Sequence, residues 1–203
     1  MSSRYAIPAG RVRVEDEVKN SRFIATLDHA SCADAARAFI DAMRAEFPDA
    51  THNCWAFVAG PPGSLGDNGA GDDGEPGGTA GRPMLGVLLG SDVGEVVAVV
   101  TRYYGGVKLG RGGLVRAYSG AVRHALRELT LAEHVTRIRL TIELPYALVS
   151  AVQHIFDRFD VVTENEAFAE SATLTVSVPD THRAAFEVAV RDTTAGSATI
   201  TAQ

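Results

Sequence analysis

The stretch that decides the fold is EVVAVVTRYYGGVKLGRGGLVRAY, residues 95–118. Its Val-rich first part, residues 95–104, is typical of a strand buried on both faces. A glycine-rich turn follows, and from Leu114 to Leu129 apolar residues recur at the spacing of an amphipathic helix. The segment therefore predicts a strand, a tight turn and a helix at the centre of an α+β domain.

Residues upstream extend this unit into a sheet with a second helix. Residues 11–18 and 22–28 alternate between apolar and polar side chains, and residues 19–21 between them favour a turn, which predicts a β-hairpin. Apolar residues at helical spacing over residues 33–47 predict a helix. Residues 54–58 have apolar contacts on both faces and predict an inner strand.

Downstream of the glycine-rich turn and its helix, a new pattern predicts a second domain. The predicted order is strand, helix, strand, strand, helix, strand over residues 138–144, 147–159, 161–162, 172–178, 180–191 and 198–201. That order is typical of the ferredoxin-like split βαβ fold. The predicted domains are residues 1–132 and 134–203, and the predicted fold class is α+β.

The composition limits the class of protein. An apolar fraction of 46% with 22% charged residues in a chain of 203 residues is ordinary for a soluble globular protein. No apolar run approaches the roughly 20 residues that span a bilayer, and residues 1–10 lack the apolar core of a signal peptide. Cys32 and Cys54 form no CxxC pair, so we expect reduced thiols. We expect a cytoplasmic protein that does not associate with a membrane.

The charges are distributed unevenly along the chain. The net charge is −6, which argues against a general affinity for polyanions. Residues 67–75 nevertheless carry acids and no base, whereas residues 102–127 carry bases and no acid. An acidic segment therefore lies close in sequence to a basic one.

The basic segment has the features of an anion-binding turn. Glycine lets a backbone approach a bulky anion closely, and a helix N-terminus offers free N–H groups and about half a positive charge. The candidate phosphate- or nucleic-acid-binding residues are Arg102, Tyr103, Tyr104, Gly105, Gly106, Lys108, Gly110, Arg111, Gly112, Gly113 and Arg116, with Thr79 and Arg82 beside them. Neither GxxxxGKS/T nor GxGxxG is present, which disfavours a nucleoside triphosphate enzyme. The alternative is that the glycines only shape a tight turn and the arginines cover a solvated helix face.

A second candidate site lies within residues 60–83, which are rich in Gly and Pro and predict a long surface loop. Asp72, Asp73 and Glu75 supply carboxylate oxygens of the kind that bind Mg²⁺ or Ca²⁺, but their spacing does not match a calcium loop. The alternatives are a self-capping turn, or an acidic strap that pairs with the basic segment. No metal and no cofactor are predicted.

His52 and Cys54 are the remaining candidates, because they alternate on one strand face as a base and a nucleophile would. Two strand positions separate the α-carbons by about 6–7 Å, which is too far for a preformed hydrogen bond without favourable rotamers. A buried thiol and a polar group at the strand end are the favoured roles. The sequence predicts no catalytic residue.

Three strings of the sequence carry a resemblance to a known family. HNCWAFVAG (52–60), DDGEPGGTAGRPML (72–85) and VTRYYGGVKLGRGGLVRAYSGAV (100–122), in this order, resemble the IMPACT family, in particular its bacterial YigZ-type members. The resemblance implies an N-terminal domain similar to the second domain of a small-subunit ribosomal protein. It also implies a C-terminal ferredoxin-like domain similar to one in elongation factor G, and a connection with the regulation of translation.

We therefore expect a non-enzymatic protein that contacts RNA or the ribosome through the Gly/Arg-rich segment. Two alternatives stay open. One is a metal-dependent, peptidase-like hydrolase that uses Asp72, Asp73 and Glu75. The other is an adaptor whose basic helix face meets an acidic protein partner in translation. The sequence does not indicate the oligomeric state.

Overall fold

The computed structural model describes residues 4–202, so the domain limits predicted at residues 1 and 203 lie outside the described range. Within that range the chain divides into two compact units. The first comprises Tyr5–His134, and the second comprises Arg4 with residues 135–202. Both units combine helices with antiparallel strands, which confirms the predicted α+β class. None of the helices described is both long and apolar enough to cross a bilayer.

A five-stranded sheet organises the first unit. The strands up to residue 135 are β1 (Arg4–Pro8), β2 (Val12–Val18), β3 (Ser21–His29), β4 (His52–Val58), β5 (Asn68–Gly71), β6 (Val96–Tyr103) and β7 (Leu131–Val135). The helices are α1 (Ala33–Glu46), α2 (Gly81–Leu89) and α3 (Arg111–Glu128). The sheet order is β2-β3-β6-β4-β5, and β1 pairs with β7 separately. The predicted hairpin is confirmed as β2 and β3.

Strand β6 lies at the centre of this sheet and is buried on both faces. Val96, Ala98 and Val100 belong to the core cluster that includes α2 and α3, whereas Val97 and Val99 pack with α1. Each of these side chains is 0% exposed. Burial on both faces explains why β6 carries a continuous apolar run rather than an alternating one.

The segment of residues 60–83 is partly built into the sheet, which differs from the predicted surface loop. β5 pairs with β4 at the sheet edge, and Thr79 and Ala80 beyond it are buried. The close approach of β5 to the Trp55 ring requires glycine, because a Cβ at Gly71 would lie 2.5 Å from the indole of Trp55. The pattern did not predict this strand because β5 has the sequence NGAG, with no large side chain to bury.

The second unit has the ferredoxin-like fold. Its elements are β8 (Arg137–Leu144), α4 (Val149–Gln153), β9 (Val162–Phe168), β10 (Ala172–Pro179), α5 (Arg183–Thr193) and β11 (Thr199–Ala202). The sheet order is β11-β8-β10-β9, which is the arrangement expected of a split βαβ motif. Leu140, Ile142 and Leu174 of the sheet and Phe186 of α5 are fully buried and form its core.

Two elements of the second unit differ from the prediction. The helix predicted over residues 147–159 is reduced to α4, with 3-10 turns at Tyr146–Leu148 and Asp157–Phe159 on either side. β9 continues to Phe168, whereas only residues 161–162 were predicted as strand. β9 is an exposed edge strand with mostly polar side chains, so it lacks the apolar alternation that would predict it.

Glu95, at the entry to β6, holds three other strands with one buried carboxylate. Its Oε1 accepts a hydrogen bond from the Tyr5 hydroxyl at 2.7 Å and lies 3.2 Å from His134 Nδ1, and its Oε2 lies 2.7 Å from His29 Nε2. Burial would raise the pKa of Glu95, but hydrogen bonds from Tyr5 and His29 and the charge of His134 outweigh burial and lower that pKa. The ionised carboxylate therefore fixes β1, β3 and β7 at one end of the sheet.

Replacing Glu95 with Gln should lower the free energy of unfolding by about 1–2 kcal/mol at neutral pH, because the charged acceptor is lost. A group with a lowered pKa stabilises the fold above about pH 4.5, and this contribution disappears as the pH falls through the folded-state pKa. The two proteins should therefore converge in acid, below the lowered folded-state pKa of Glu95, which urea unfolding at neutral and at acidic pH will measure. Asp92→Asn, at an exposed acid nearby, is the matched control and should change little. A Glu95→Gln deficit that persists in acid would contradict this assignment.

Candidate nucleic-acid interface

Arg102, the first base of the predicted binding segment, lies inside the first unit. Its residue is 5% exposed, and its Nη1 donates to Glu75 Oε1 at 2.5 Å while Nη2 donates to Ser21 Oγ at 3.3 Å. The guanidinium lies 5.3 Å from the ring centroid of Phe23 and 5.4 Å from that of Tyr104. The sequence had suggested that Arg102 is an exposed contact for phosphate. It is instead a buried partner of the acidic loop.

Asp72 closes the acidic loop onto the start of α2. Its carboxylate accepts hydrogen bonds from the backbone N–H groups of Gly78 at 2.7 Å, Ala80 at 3.0 Å and Gly81 at 2.8 Å. Burial would raise the pKa of Asp72, but these bonds and the charge of Arg82 outweigh burial and lower it. Asp72 therefore acts as the self-capping group that was one of the alternatives for this loop.

The other two acids of the loop are also held by protein donors. Asp73 accepts from the backbone N–H of Asn53 at 2.7 Å and pairs with Arg44 at 3.2 Å. Glu75 Oε1 accepts from the Tyr118 hydroxyl at 2.8 Å as well as from the buried arginine. Within residues 4–202, no group of His, Cys, Asp and Glu side chains is arranged to hold a metal ion. The three carboxylates thus serve the architecture of the loop.

His52 and Cys54 lie beside this loop without forming a nucleophile and base pair. The Cys54 thiol donates to the carbonyl oxygen of Asp72 at 3.0 Å, and burial raises the pKa of that thiol to about 12. The thiol therefore stays protonated at neutral pH. His52 Nδ1 lies 2.8 Å from the carbonyl oxygen of Asp73, and its Nε2 lies 3.9 Å from Glu75 Oε1. Both side chains support the loop.

The bases of the first unit fall into two groups according to their partners. Six arginines of this unit pair with carboxylates: Arg11, Arg13, Arg22, Arg37, Arg44 and Arg102. Among the described residues, the following bases have no carboxylate within ion-pair distance: Lys19, Arg82, Lys108, Arg111, Arg116, Arg123 and Arg127. The uncompensated positive charge of the unit is therefore concentrated on and around α3.

Six of these bases lie on α3 or on the turns next to it and are here called the basic tract: Lys19, Lys108, Arg111, Arg116, Arg123 and Arg127. Lys19 and Arg116 line one small cleft, Arg116 and Arg127 line a groove along α3, and Arg123 lines the next groove with Arg127. Spacings of seven and four residues place the last three arginines on one stripe of α3. Asp16, Glu17 and Glu128 also line the groove along α3, so its edge carries acids.

Three members of the basic tract, Lys19, Arg123 and Arg127, were not among the predicted site residues. Arg123 and Arg127 repeat the helical position of Arg116, and that spacing was a usable signal. Lys19 had no such signal, because it reaches α3 through the turn between β2 and β3. The tract therefore combines side chains of α3 and of the turn before it with a side chain from a distant hairpin.

The two tyrosines of the segment have different surroundings. The Tyr103 hydroxyl donates to Asp49 at 2.9 Å, and Arg22 lies over its ring at 5.4 Å from the centroid. Tyr104 is 46% exposed, which leaves it available for stacking. Tyr103 is therefore committed to protein contacts.

The loop residues placed beside the segment also differ from each other. Thr79 is buried and donates its hydroxyl to the carbonyl oxygen of Pro76 at 2.6 Å, whereas Arg82 is exposed.

The glycines of the segment shape the turn before α3 and leave the start of that helix without a side-chain cap. A Cβ at Gly105 would lie 2.0 Å from the carbonyl oxygen of Asn20, so this glycine is required for packing of two turns. Gly106 and Gly110 have φ angles of 85° and 73°, and Gly110 precedes α3 without a side-chain cap. Gly112 and Gly113 lie in the first turn of α3, whose first helical bond runs from Leu114 N–H to the Gly110 carbonyl. The N–H groups at the start of α3 therefore point out of the helix.

Comparison with known proteins places this arrangement in a family. The family model described as Impact N-terminal domain matches residues 19–126, and the one described as Domain of unknown function (DUF1949) matches residues 142–197. These matches define a two-domain protein with an Impact N-terminal domain.

The chain belongs to the IMPACT family. It is 44% identical to the IMPACT family member YigZ of Escherichia coli (strain K12), over 95% of each chain. It is 39% identical to an IMPACT family member of Haemophilus influenzae, over 96% of this chain and 94% of that protein. A crystal structure of a hypothetical protein, 42% identical, superposes with a TM-score of 0.74 and covers 100% of this chain and 98% of that chain.

Breaking the Glu75–Arg102 pair should be costly, because it leaves a buried charge without its partner. Glu75→Gln should lower the free energy of unfolding by about 3 kcal/mol, and the double variant Glu75→Gln/Arg102→Met should lose less than the two single losses added together. Urea unfolding of Glu75→Gln, Arg102→Met and the double variant will measure this coupling. Asp67→Asn, at an exposed acid earlier in the same loop, is the control. A Glu75→Gln loss no larger than that control would show that the pair is not buried in solution.

Proposed function

We propose that this protein is a non-enzymatic binding protein that contacts RNA, on the ribosome or in a similar complex, through the basic tract. The observation that carries the proposal is which bases of the first unit have carboxylate partners and which do not. The arginines of the first unit outside α3, except Arg82, pair with carboxylates, whereas those on α3 have no carboxylate within ion-pair distance among the described residues. Unpaired bases on one face are what phosphate contacts require.

The dimensions of the tract suit a nucleic-acid backbone. Arg116 and Arg127 are separated by eleven helical positions, or about 16 Å along α3. A nucleic-acid duplex carries one negative charge per about 1.7 Å of its axis, so several phosphates fit along this length. The net charge of −6 for the whole chain would repel a polyanion from other faces and so orient it on α3.

The exposed bases favour a binding role over the hydrolase alternative. A metal-dependent hydrolase needs carboxylates that are free to bind a metal. Both carboxylate oxygens of Asp72 and of Asp73 instead accept bonds from backbone N–H groups or Arg44, and Glu75 is paired through Oε1 with Arg102 and Tyr118. The adaptor alternative uses the same tract, and the experiment below separates it from RNA binding.

The salt dependence of RNA binding tests the proposal. Each phosphate contact contributes about −0.7 to the slope of log affinity against log salt for a single strand, so Arg116→Ala/Arg123→Ala should flatten the slope by about 1.4. Fluorescence anisotropy with an RNA oligonucleotide at several salt concentrations will measure it. Arg37→Ala, which removes an exposed but paired arginine of α1, is the matched control and should leave the slope unchanged.

Two results would reject RNA as the partner. One is a slope that the double variant does not change. The other is equal or tighter binding of poly-glutamate under the same conditions, which would indicate an acidic protein. Co-sedimentation with ribosomes, with and without nuclease treatment, extends the comparison to the assembled particle, and nuclease-resistant binding would again favour a protein contact.

A further inference from the structure

A cleft opens directly above the buried Glu75–Arg102 pair, at the start of α3. Its volume is about 450 Å³, within the usual range for sites that enclose a small molecule. The lining residues are Glu75, Pro76, Arg102, Tyr104, Lys108, Leu109, Gly110, Arg111 and Leu114. The cleft therefore has apolar walls, a charged floor and a basic rim, all within the first unit.

Arg102, in the floor of this cleft, carries a buried polar atom for which the described part of the protein supplies no hydrogen-bond partner. Arg102 Nε is buried and has no hydrogen-bond partner among the described residues. Glu75 Oε1 receives the bonds from Arg102 and Tyr118, whereas no hydrogen bond to Glu75 Oε2 is found within residues 4–202. A buried guanidinium N–H without an acceptor, beside a carboxylate oxygen without a donor, favours a ligand that brings its own donors and acceptors.

The wall of the cleft contains a positioned aromatic platform. Tyr104 is 46% exposed, and its ring lies against the Arg102 guanidinium, with 5.4 Å between the guanidinium carbon and the ring centroid. Its backbone N–H donates to Thr51 Oγ1 at 3.0 Å, which fixes the residue at the end of β6. A half-exposed ring held in this way can stack with a planar group.

The rim of the cleft offers positive charge to an anion. Lys108 and Arg111 lie there, and the Arg111 side chain is oriented by a bond from its Nη2 to the Gly77 carbonyl oxygen at 2.9 Å. The N-terminus of α3 is at the same place, with Gly110 at the N-cap position and no side-chain cap. A phosphate at the rim would therefore meet two bases and helix N–H groups.

We propose that this cleft takes one unstacked nucleotide of the RNA that the basic tract binds. The base stacks on Tyr104 and directs its donor edge to Glu75 Oε2, while its phosphate lies between Lys108, Arg111 and the start of α3. This inference rests on the proposed function and adds to it, because it makes a looped or terminal single-stranded nucleotide the recognised element. A continuous duplex does not present such a nucleotide.

Calorimetric titration of the full chain with guanosine 5′-monophosphate and with ribose 5-phosphate tests the inference. Guanosine carries adjacent N–H donors for the carboxylate, and ribose 5-phosphate reports the rim alone. The nucleotide should bind at least about 10-fold more tightly than the sugar phosphate, and Tyr104→Ala should weaken only the nucleotide, by about 5- to 100-fold. Tyr103→Ala, at the neighbouring ring outside the cleft, is the matched control and should change neither affinity.

The outcomes separate this inference from the proposed function. Equal affinities for the two probes, or an unchanged affinity of Tyr104→Ala for the nucleotide, would overturn the nucleotide cleft even if RNA binding keeps its dependence on Arg116 and Arg123. Nucleotide binding that depends on Tyr104, without any binding of an RNA oligonucleotide, would reject RNA as the partner and leave a site for free nucleotides. Urea unfolding should show that Tyr104→Ala still folds cooperatively, with only the small loss of stability expected when a half-exposed ring leaves the Arg102 guanidinium.

Discussion

A buried ion pair between Glu75 and Arg102 ties the acidic loop to the central strand of the first unit. Arg102 lies near the end of β6 and Glu75 precedes α2, so the 2.5 Å contact between them holds the loop across the end of the sheet. Two desolvated charges are unfavourable unless each has further partners, which Tyr118 and Ser21 supply. The ion pair, together with Ser21 of the hairpin and Tyr118 of α3, thus connects the loop, the hairpin and α3.

The apolar pattern predicted most of the fold because β6, α1 and α3 each bury a surface that recurs regularly in sequence. The site was predictable only in outline. Arg102 and Arg116 were both predicted to bind phosphate, yet one is buried and the other exposed. The difference comes from Glu75, which lies 27 positions before Arg102, and no local pattern shows a contact at that separation. β5 was missed for a related reason, since its role depends on the rings it passes rather than on its own side chains.

Pairing of charges gives an acidic chain a locally basic face. Acids such as Glu15 and Glu46 are placed against the arginines of the hairpin, so those bases contribute little field at the surface. The arginines of α3 lack such partners within the described residues, and their charges act together. The overall charge of the chain is therefore a poor guide to what its α3 face attracts.

The contact between Gly105 and Asn20 brings two turns together backbone to backbone. Lys19 and Asn20 have φ angles of 49° and 63°, so the hairpin turn is already in a tight left-handed conformation where it meets the turn before α3. Exposed turns usually accept inserted residues, and this one is an exception because it has no spare length or space. An engineer who seeks a position for an epitope or a fluorophore should therefore avoid the tip of this hairpin, since an insertion there would shift Lys19 and the beginning of α3 together.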